Sequence, residues 1–186
     1  MKYVLASSSP RRKELMKEIS PVFSIDVSNA DESVSDDLSP IEAVKVIALR
    51  KGEEVRKRHP EEIVISADTI VVIDNKIIGK PIDEKDAIRI LTLLSGRAHK
   101  VYTAYCIFYK GKLIEEVVES EVTFNKLTPK LIQDYVDSKS PLDKAGAYGV
   151  QDNKEFPIIK KVIGSIDNVI GFPVKEIQEA INEIKK

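Results

Sequence analysis

The chain has 186 residues, of which 42% are hydrophobic and 32% are charged, with 29 Lys and Arg against 30 Asp and Glu. This composition fits one domain with a buried core, and the near-zero net charge excludes the broad positive field of general nucleic-acid-binding proteins. A single cysteine, Cys106, excludes an internal disulfide, and no apolar run approaches the length of a membrane span. We therefore expect a cytoplasmic protein that binds neither nucleic acid nor membrane.

Strands and helices alternate in the first half of the chain, whereas a hairpin and loops dominate the second half. The predicted strands span 3–6, 22–27, 63–73, 77–78, 101–109, 116–124 and 158–163. The predicted helices begin after capping side chains at Ser9, Ser39, Asp83 and Thr128, and a last amphipathic helix spans 174–184. No linker is long enough to separate independent domains, so we expect a single domain over residues 1–186. Its expected fold class is α/β, a mixed twisted sheet with flanking helices in two lobes around a cleft.

The first candidate site lies where the first strand meets the first helix. Here the chain places two serine hydroxyls and two guanidinium groups beside the free backbone N–H groups of a helix start. These side chains belong to Ser7, Ser9, Arg11 and Arg12. The junction indicates an anion site, and the alternative is an ordinary capped helix with solvated arginines.

A second candidate is Asp68, which interrupts a strand that otherwise consists mainly of Ile and Val. Burying a carboxylate is costly unless it is paired, hydrogen-bonded or bound to a metal. The position therefore favours a general base or a metal ligand. The alternative is a strand-end residue that bonds a neighbouring backbone group.

Three further features could serve phosphate chemistry. Asp31 and Glu32 are adjacent in an acidic loop and could supply oxygen ligands to Mg²⁺, although such loops are usually only solvated. Lys51 falls on the apolar face of the second helix and should point inward, unless its stem simply extends along the surface. Lys80 lies in a constrained Gly-Lys-Pro segment, from which it could meet phosphate oxygens.

The loop over residues 143–151 combines two glycines and other small residues with the amide of Gln151. A side-chain amide both donates and accepts hydrogen bonds, so this loop could read the edge of a nucleobase. The alternative is a mobile surface loop, although long loops in compact domains are often functional.

Five separated motifs follow one another along the chain. They are 6–15 (ASSSPRRKEL), 66–69 (SADT), 79–81 (GKP), 94–97 (LSGR) with His99 and Thr103, and 143–151 (DKAGAYGVQ). Together they strongly resemble the Maf family of nucleotide pyrophosphatases, over almost the whole chain.

The resemblance implies a fold related to inosine triphosphate pyrophosphatase and an enzyme that hydrolyses a nucleoside triphosphate to its monophosphate and pyrophosphate. It also implies a divalent metal cofactor, Mg²⁺ or Mn²⁺, and frequently a homodimer. One branch resembles dTTP/UTP pyrophosphatases and carries Arg, Thr and Gln where this chain has Arg11, Thr69 and Gln151. A branch acting on 7-methyl-GTP has an aromatic residue, Gln and Glu there. The match therefore predicts hydrolysis of dTTP and UTP and extends to modified pyrimidine nucleotides. Two alternatives stay open: a 7-methyl-GTP pyrophosphatase, and a nucleotide-binding regulator of septum formation.

The predicted roles centre on Asp68 as the catalytic residue, which orients and deprotonates a water for attack at the α-phosphorus. The metal is expected on Asp31 or Glu32, where it neutralises developing charge. The residues expected to bind the substrate are Ser7, Ser9, Arg11, Arg12, Lys51 and Lys80.

The chain departs from the family pattern directly after Gln151. The family usually has glycine there, and this chain has Asp152. The departure could alter the loop that reads the base.

Overall fold

A computed structural model describes residues 2–186 of the chain. The strands are Tyr3–Leu5 (β1), Ser24–Ile25 (β2), Ile63–Ile73 (β3), Lys76–Ile78 (β4), Ala98–Tyr109 (β5), Lys112–Phe124 (β6) and Ile159–Ile163 (β7). The helices are Pro10–Ile19 (α1), Pro40–Arg56 (α2), Glu84–Leu94 (α3), Pro129–Asp137 (α4), Ile166–Ile170 (α5) and Val174–Ile184 (α6).

The strands form one mixed sheet, which confirms the predicted α/β class. Their order is β2-β1-β3-β5-β6-β7, and β4 pairs with β3 off this path. β1 pairs in parallel with β2 and β3, whereas the β3–β4 and β6–β7 pairs are antiparallel. The turn between β5 and β6 has positive φ at both Lys110 and Gly111, the backbone conformation that two-residue hairpin turns require.

The predicted starts of four helices are confirmed, and each start has the side-chain cap that the sequence predicted. Ser9, Asp83 and Thr128 each accept a hydrogen bond from a backbone N–H in the first turn of their helix. Ser39 and Glu42 form a reciprocal capping box at the start of α2. These caps fix where α1, α2, α3 and α4 begin.

The chain divides into two compact units. The first contains residues up to Thr69, Thr103–Val118 and Asp167–Lys186. Its core lies where α1 and α6 cover strands β1, β3 and β5. The largest buried side chains there include Leu5, Met16, Ile63, Ile65, Tyr105, Ile107 and Phe172.

The second unit contains Ile70–Tyr102 and Glu119–Ile166. Its core includes His99, Phe124 and Tyr148, whose rings meet edge to face with centroids 4.8–5.3 Å apart. The long loop predicted after α4 contains three short 3₁₀ turns, at Ser140–Asp143, Ala145–Ala147 and Val150–Lys154.

Two features of the sequence prediction are wrong in detail. The strand predicted over 22–27 shrinks to the two residues of β2, and α5 was not predicted. None of the helices within residues 2–186 is long and apolar enough to cross a membrane.

Candidate functional site

The candidate site in the first unit is built around an ion pair between Asp68 and Lys51. Lys51 Nζ donates a hydrogen bond to Asp68 Oδ1 over 2.8 Å, and the two side chains are only 14% and 15% exposed, Lys51 first. The inward orientation predicted for Lys51 is confirmed, and its partner is the acid that interrupts β3.

The close approach of α2 to β3 positions this pair. Ser66 and Asp68 share one face of β3 because side chains alternate along a strand. Ser66 Oγ donates to the backbone oxygen of Ala48, 2.7 Å away, which ties that face to α2. A Cβ on Gly52 would lie 2.5 Å from Ser66 Oγ and 2.2 Å from a ring carbon of Phe108. Only glycine therefore allows the helix to lie this close to the strand.

Glu32 joins the ion pair, whereas Asp31 does not. Glu32 Oε2 lies 3.1 Å from Lys51 Nζ, so two carboxylates share one ammonium group. Asp31 is instead engaged within its own loop, where its carboxylate accepts hydrogen bonds from Ser33 N and Ser33 Oγ over 2.9 Å and 2.6 Å. These bonds lower the pKa of Asp31 from its ordinary value.

Arg12 forms a second network, which includes Thr69, the residue directly after Asp68. Its Nη2 donates to Thr69 Oγ1 over 3.1 Å, its Nε to the backbone oxygen of Gly171 over 2.9 Å, and its Nη1 to Ser7 Oγ over 3.4 Å. The Thr69 hydroxyl also lies 2.9 Å from Thr103 Oγ1. The guanidinium group thus braces three segments of the first unit.

The charges around Arg12 show that the predicted cations and acids lie together. Desolvation lowers the pKa of Arg12, and the positive charge of Arg11 acts in the same direction. The negative charges of Asp68 and Glu32 act in the opposite direction. Ser9 caps the same helix start, with its hydroxyl accepting from Arg12 N over 3.4 Å.

The structure therefore brings together most of the predicted site residues of the first unit. They are Ser7, Ser9, Arg11, Arg12, Glu32, Lys51, Asp68 and Thr69.

Lys80 and Gln151 belong to the second unit, and both are exposed. Gly79, directly before Lys80, accepts a backbone hydrogen bond from Gly146 N over 3.0 Å. This bond ties the Gly-Lys-Pro segment to the loop that carries Gln151. The predicted roles of Lys80 and Gln151 stay predictions.

The donor set near Lys51 fits a divalent cation that arrives with phosphate. Within the described part of the chain, no group of three or more His, Cys, Asp or Glu side chains could hold a metal ion. Asp68 and Glu32 nevertheless approach one common cationic atom. Mg²⁺ typically binds one or two carboxylates together with substrate phosphates and waters. Either carboxylate could therefore contribute an oxygen ligand to a metal of this kind.

Sequence reasoning assigned no role to two charged residues of the second unit. Lys144, within the loop over residues 143–151, is buried, and Asp152 accepts hydrogen bonds from two hydroxyl groups. The available signals were a lysine among small residues and the departure from the family pattern after Gln151.

Comparison with known proteins gives consistent matches along the whole chain. The sequence model of the Maf-like protein family matches residues 2–184. A dTTP/UTP pyrophosphatase of Bacillus cytotoxicus is 40% identical over 185 residues, which cover 100% of this chain and 95% of that protein. A dTTP/UTP pyrophosphatase of Bacillus mycoides is 41% identical with the same coverage. Among solved structures, the Ham1 protein of Staphylococcus aureus is similar with a TM-score of 0.48 and 15% identity, over 100% of both chains. On the family match and these full-length relatives, the chain belongs to the Maf-like protein family.

Proposed function

We propose that this protein is a nucleoside triphosphate pyrophosphatase that hydrolyses dTTP and UTP to their monophosphates and pyrophosphate. The observation that carries the proposal is the nearly buried ion pair of Asp68 and Lys51, shared with Glu32. A purely structural role does not explain this pair, because two charged groups have lost most of their solvation where an apolar pair would lose none. The full-length relatives named dTTP/UTP pyrophosphatase support the choice of substrate.

Asp68 acts as the general base in the proposed reaction. Lys51 holds Oδ1 and thereby fixes the direction of the carboxylate, while the remaining oxygen accepts a proton from the attacking water. The water oxygen forms a bond to the α-phosphorus, and the bond from that phosphorus to the bridging oxygen breaks. Pyrophosphate leaves with the bonding electron pair. Catalysis of this kind depends mainly on positioning and electrostatic stabilisation.

The cations of the first unit bind the triphosphate in this proposal. Arg11 and Arg12 supply guanidinium groups at the start of α1, where Ser7 and Ser9 contribute hydroxyl groups. Lys80 keeps the phosphate-binding role that the family resemblance implies for it. Arg12 donates three hydrogen bonds to protein groups. In this proposal it therefore holds the turn between β1 and α1 in place as well as supplying positive charge.

Glu32 would hold the divalent metal, Mg²⁺ or Mn²⁺, together with the substrate phosphates. When bound, the metal neutralises charge on the phosphate oxygens. Asp31 is the weaker candidate because Ser33 already occupies its carboxylate.

Base selection is assigned to Arg11, Thr69 and Gln151 on the family pattern. A cytoplasmic location and a homodimer complete the proposal. The single cysteine, Cys106, is a buried free thiol, which suits a reducing compartment.

A substrate panel run in ¹⁸O-labelled water tests the function. The panel contains dTTP, UTP, dCTP, ATP and 7-methyl-GTP, with detection of pyrophosphate and mass analysis of both products. We expect the highest kcat/KM for dTTP or UTP and the label in the monophosphate, because water attacks the α-phosphorus. Label in pyrophosphate would refute attack at that atom. Preference for 7-methyl-GTP would contradict the assigned substrate, and binding without turnover would favour a regulatory protein.

A further inference from the structure

The loop that carries Gln151 is held by a polar network centred on the next residue, Asp152. Asp152 Oδ2 accepts hydrogen bonds from the Tyr135 hydroxyl, 2.6 Å away, and from Ser140 Oγ, 2.7 Å away. The same oxygen lies 3.8 Å from Lys144 Nζ, and the Lys144 and Asp152 side chains are 9% and 18% exposed. The carboxylate is therefore largely removed from water, and its Oδ2 contacts three protein groups.

Lys144 adds further hydrogen bonds to this network. Its ammonium group donates to the backbone oxygen of Ser140, to Ser140 Oγ over 3.0 Å and to Asp143 Oδ1 over 2.8 Å. Charged groups with this little solvent need several partners, because an unpaired one would destabilise the fold. The network thus has one preferred arrangement rather than several equivalent ones.

Tyr135 transmits this arrangement to the backbone. Its oxygen accepts a hydrogen bond from Gly149 N over 3.1 Å while its proton is donated to Asp152. Burial raises the pKa of Tyr135, and the hydrogen bond to Asp152 raises it further, so the phenol keeps the proton it donates. The chain is therefore held on both sides of Gln151, at Gly149 and at Asp152.

The side chain of Gln151 lies within this frame. A Cβ on Gly149 would fall 2.7 Å from Gln151 Nε2 and 2.8 Å from Lys144 Cε. The amide thus folds back over Gly149 beside the stem of Lys144, and it is exposed. The fixed backbone sets the position from which the exposed amide leaves the loop, and so limits the directions from which the amide can meet a ligand.

We propose that Asp152 is a positioning residue for Gln151, which it orients toward a pyrimidine base by holding the loop through Tyr135, Ser140 and Lys144. The inference rests on the proposed function, because it takes Gln151 as a residue that reads the base. An amide distinguishes the edges of two bases only when its donor and acceptor face fixed directions. The glycine usual at this position in the family could make none of these side-chain bonds.

The test measures base selectivity, as the ratio of kcat/KM for dTTP to that for dCTP. These substrates differ in the hydrogen-bonding edge of the base and in the 5-methyl group of thymine, whereas the sugar and the reacting phosphates are the same. Asp152→Gly and Tyr135→Phe are each expected to lower the ratio about tenfold, mainly by raising KM for dTTP. Asp152→Asn keeps an oxygen that accepts from both hydroxyls and is expected to retain most of the selectivity. Asp137→Ala, an exposed carboxylate on α4, is the matched control and should leave the ratio unchanged.

Repeating Asp152→Gly in a Gln151→Ala background shows whether Asp152 affects base selectivity through Gln151 or only through the stability of the fold. If Asp152 acts through Gln151, then Asp152→Gly lowers the ratio no further in that background. A further drop there, or a lowered melting temperature with unchanged selectivity in the single variant, would overturn the proposal. Wild-type protein that hydrolyses neither dTTP nor UTP would overturn the proposed function and this inference together, whereas active and selective Asp152→Gly protein would overturn only the inference.

Discussion

Lowering the pH is expected to destabilise the protein through His99, a residue of β5. His99 is 3% exposed, and its Nε2 lies 2.7 Å from the Tyr148 hydroxyl oxygen. Within residues 2–186, Nδ1 has no hydrogen-bond partner. A protonated imidazole would place a positive charge and an unpaired N–H in the core, so burial lowers the pKa of His99 to about 4.

The unfolded chain binds this proton at a higher pH than the folded chain does. An exposed histidine titrates near pH ~6.5, so the stability that neutral His99 contributes is fully present above that pH. It is lost as the pH falls from there toward the folded value of about 4. Each pH unit within this window is worth about 1.4 kcal/mol, so the loss at pH 4.5 is about 2.5 kcal/mol.

Urea unfolding of the wild type and of His99→Gln measures the effect. Carboxylates titrate alike in both proteins, so the difference between them isolates the histidine. From pH 7.5 to pH 4.5, the wild type should lose about 2.5 kcal/mol more of its free energy of unfolding than the variant loses. Equal losses, or an NMR titration of His99 with a midpoint near ~6.5, would refute the reasoning.

Three substitutions in the first unit test the packing and charges of the site. Gly52→Ala places a methyl group 2.2 Å from a ring carbon of Phe108. This substitution should lower the free energy of unfolding by about 1–3 kcal/mol in urea. An unchanged urea midpoint would contradict the close approach of α2 to β3. Arg12→Lys loses the planar guanidinium group that makes three hydrogen bonds. Its free energy of unfolding should fall by about 1–3 kcal/mol in urea unfolding. Wild-type stability of this variant would refute the bracing role of Arg12. Glu32→Gln should weaken Mn²⁺ binding about tenfold, measured by electron paramagnetic resonance in the presence of a non-hydrolysable dUTP analogue. The matched control Asp31→Asn should leave Mn²⁺ binding unchanged. Weaker binding by Asp31→Asn and unchanged binding by Glu32→Gln would exchange the roles of the two residues.

Local signals in the sequence predicted the elements well. A cap needs only a side chain and the backbone within three residues of it, as at Asp83 and Thr128, so the chain alone determines it. The strand over residues 22–27 was overpredicted because alternation shows which residues can form a strand, not how many find a partner. Within residues 2–186, the strand register with β1 covers Ser24 and Ile25.

The partners within the site required the tertiary structure. The sequence placed Lys51 on an inward helix face, yet its bond to Asp68 depends on the Gly52 contact that brings α2 to β3. A local signal in the sequence does separate Asp31 from Glu32 as the acid that is free to face Lys51. Ser33 lies two residues after Asp31 and donates two hydrogen bonds to its carboxylate. The contacts of Asp152 join segments 12 and 17 residues apart, which no local pattern reports.

Turnover and binding by Asp68→Asn test the central claim most directly, with Asp134→Asn, an exposed acid on α4, as the matched control. Asparagine keeps the size of the side chain and can still accept from Lys51, but it cannot take a proton from water. The account predicts that kcat for dTTP falls about 10³-fold, while calorimetric affinity for the non-hydrolysable dUTP analogue stays near that of the wild type. Wild-type turnover by Asp68→Asn would contradict it.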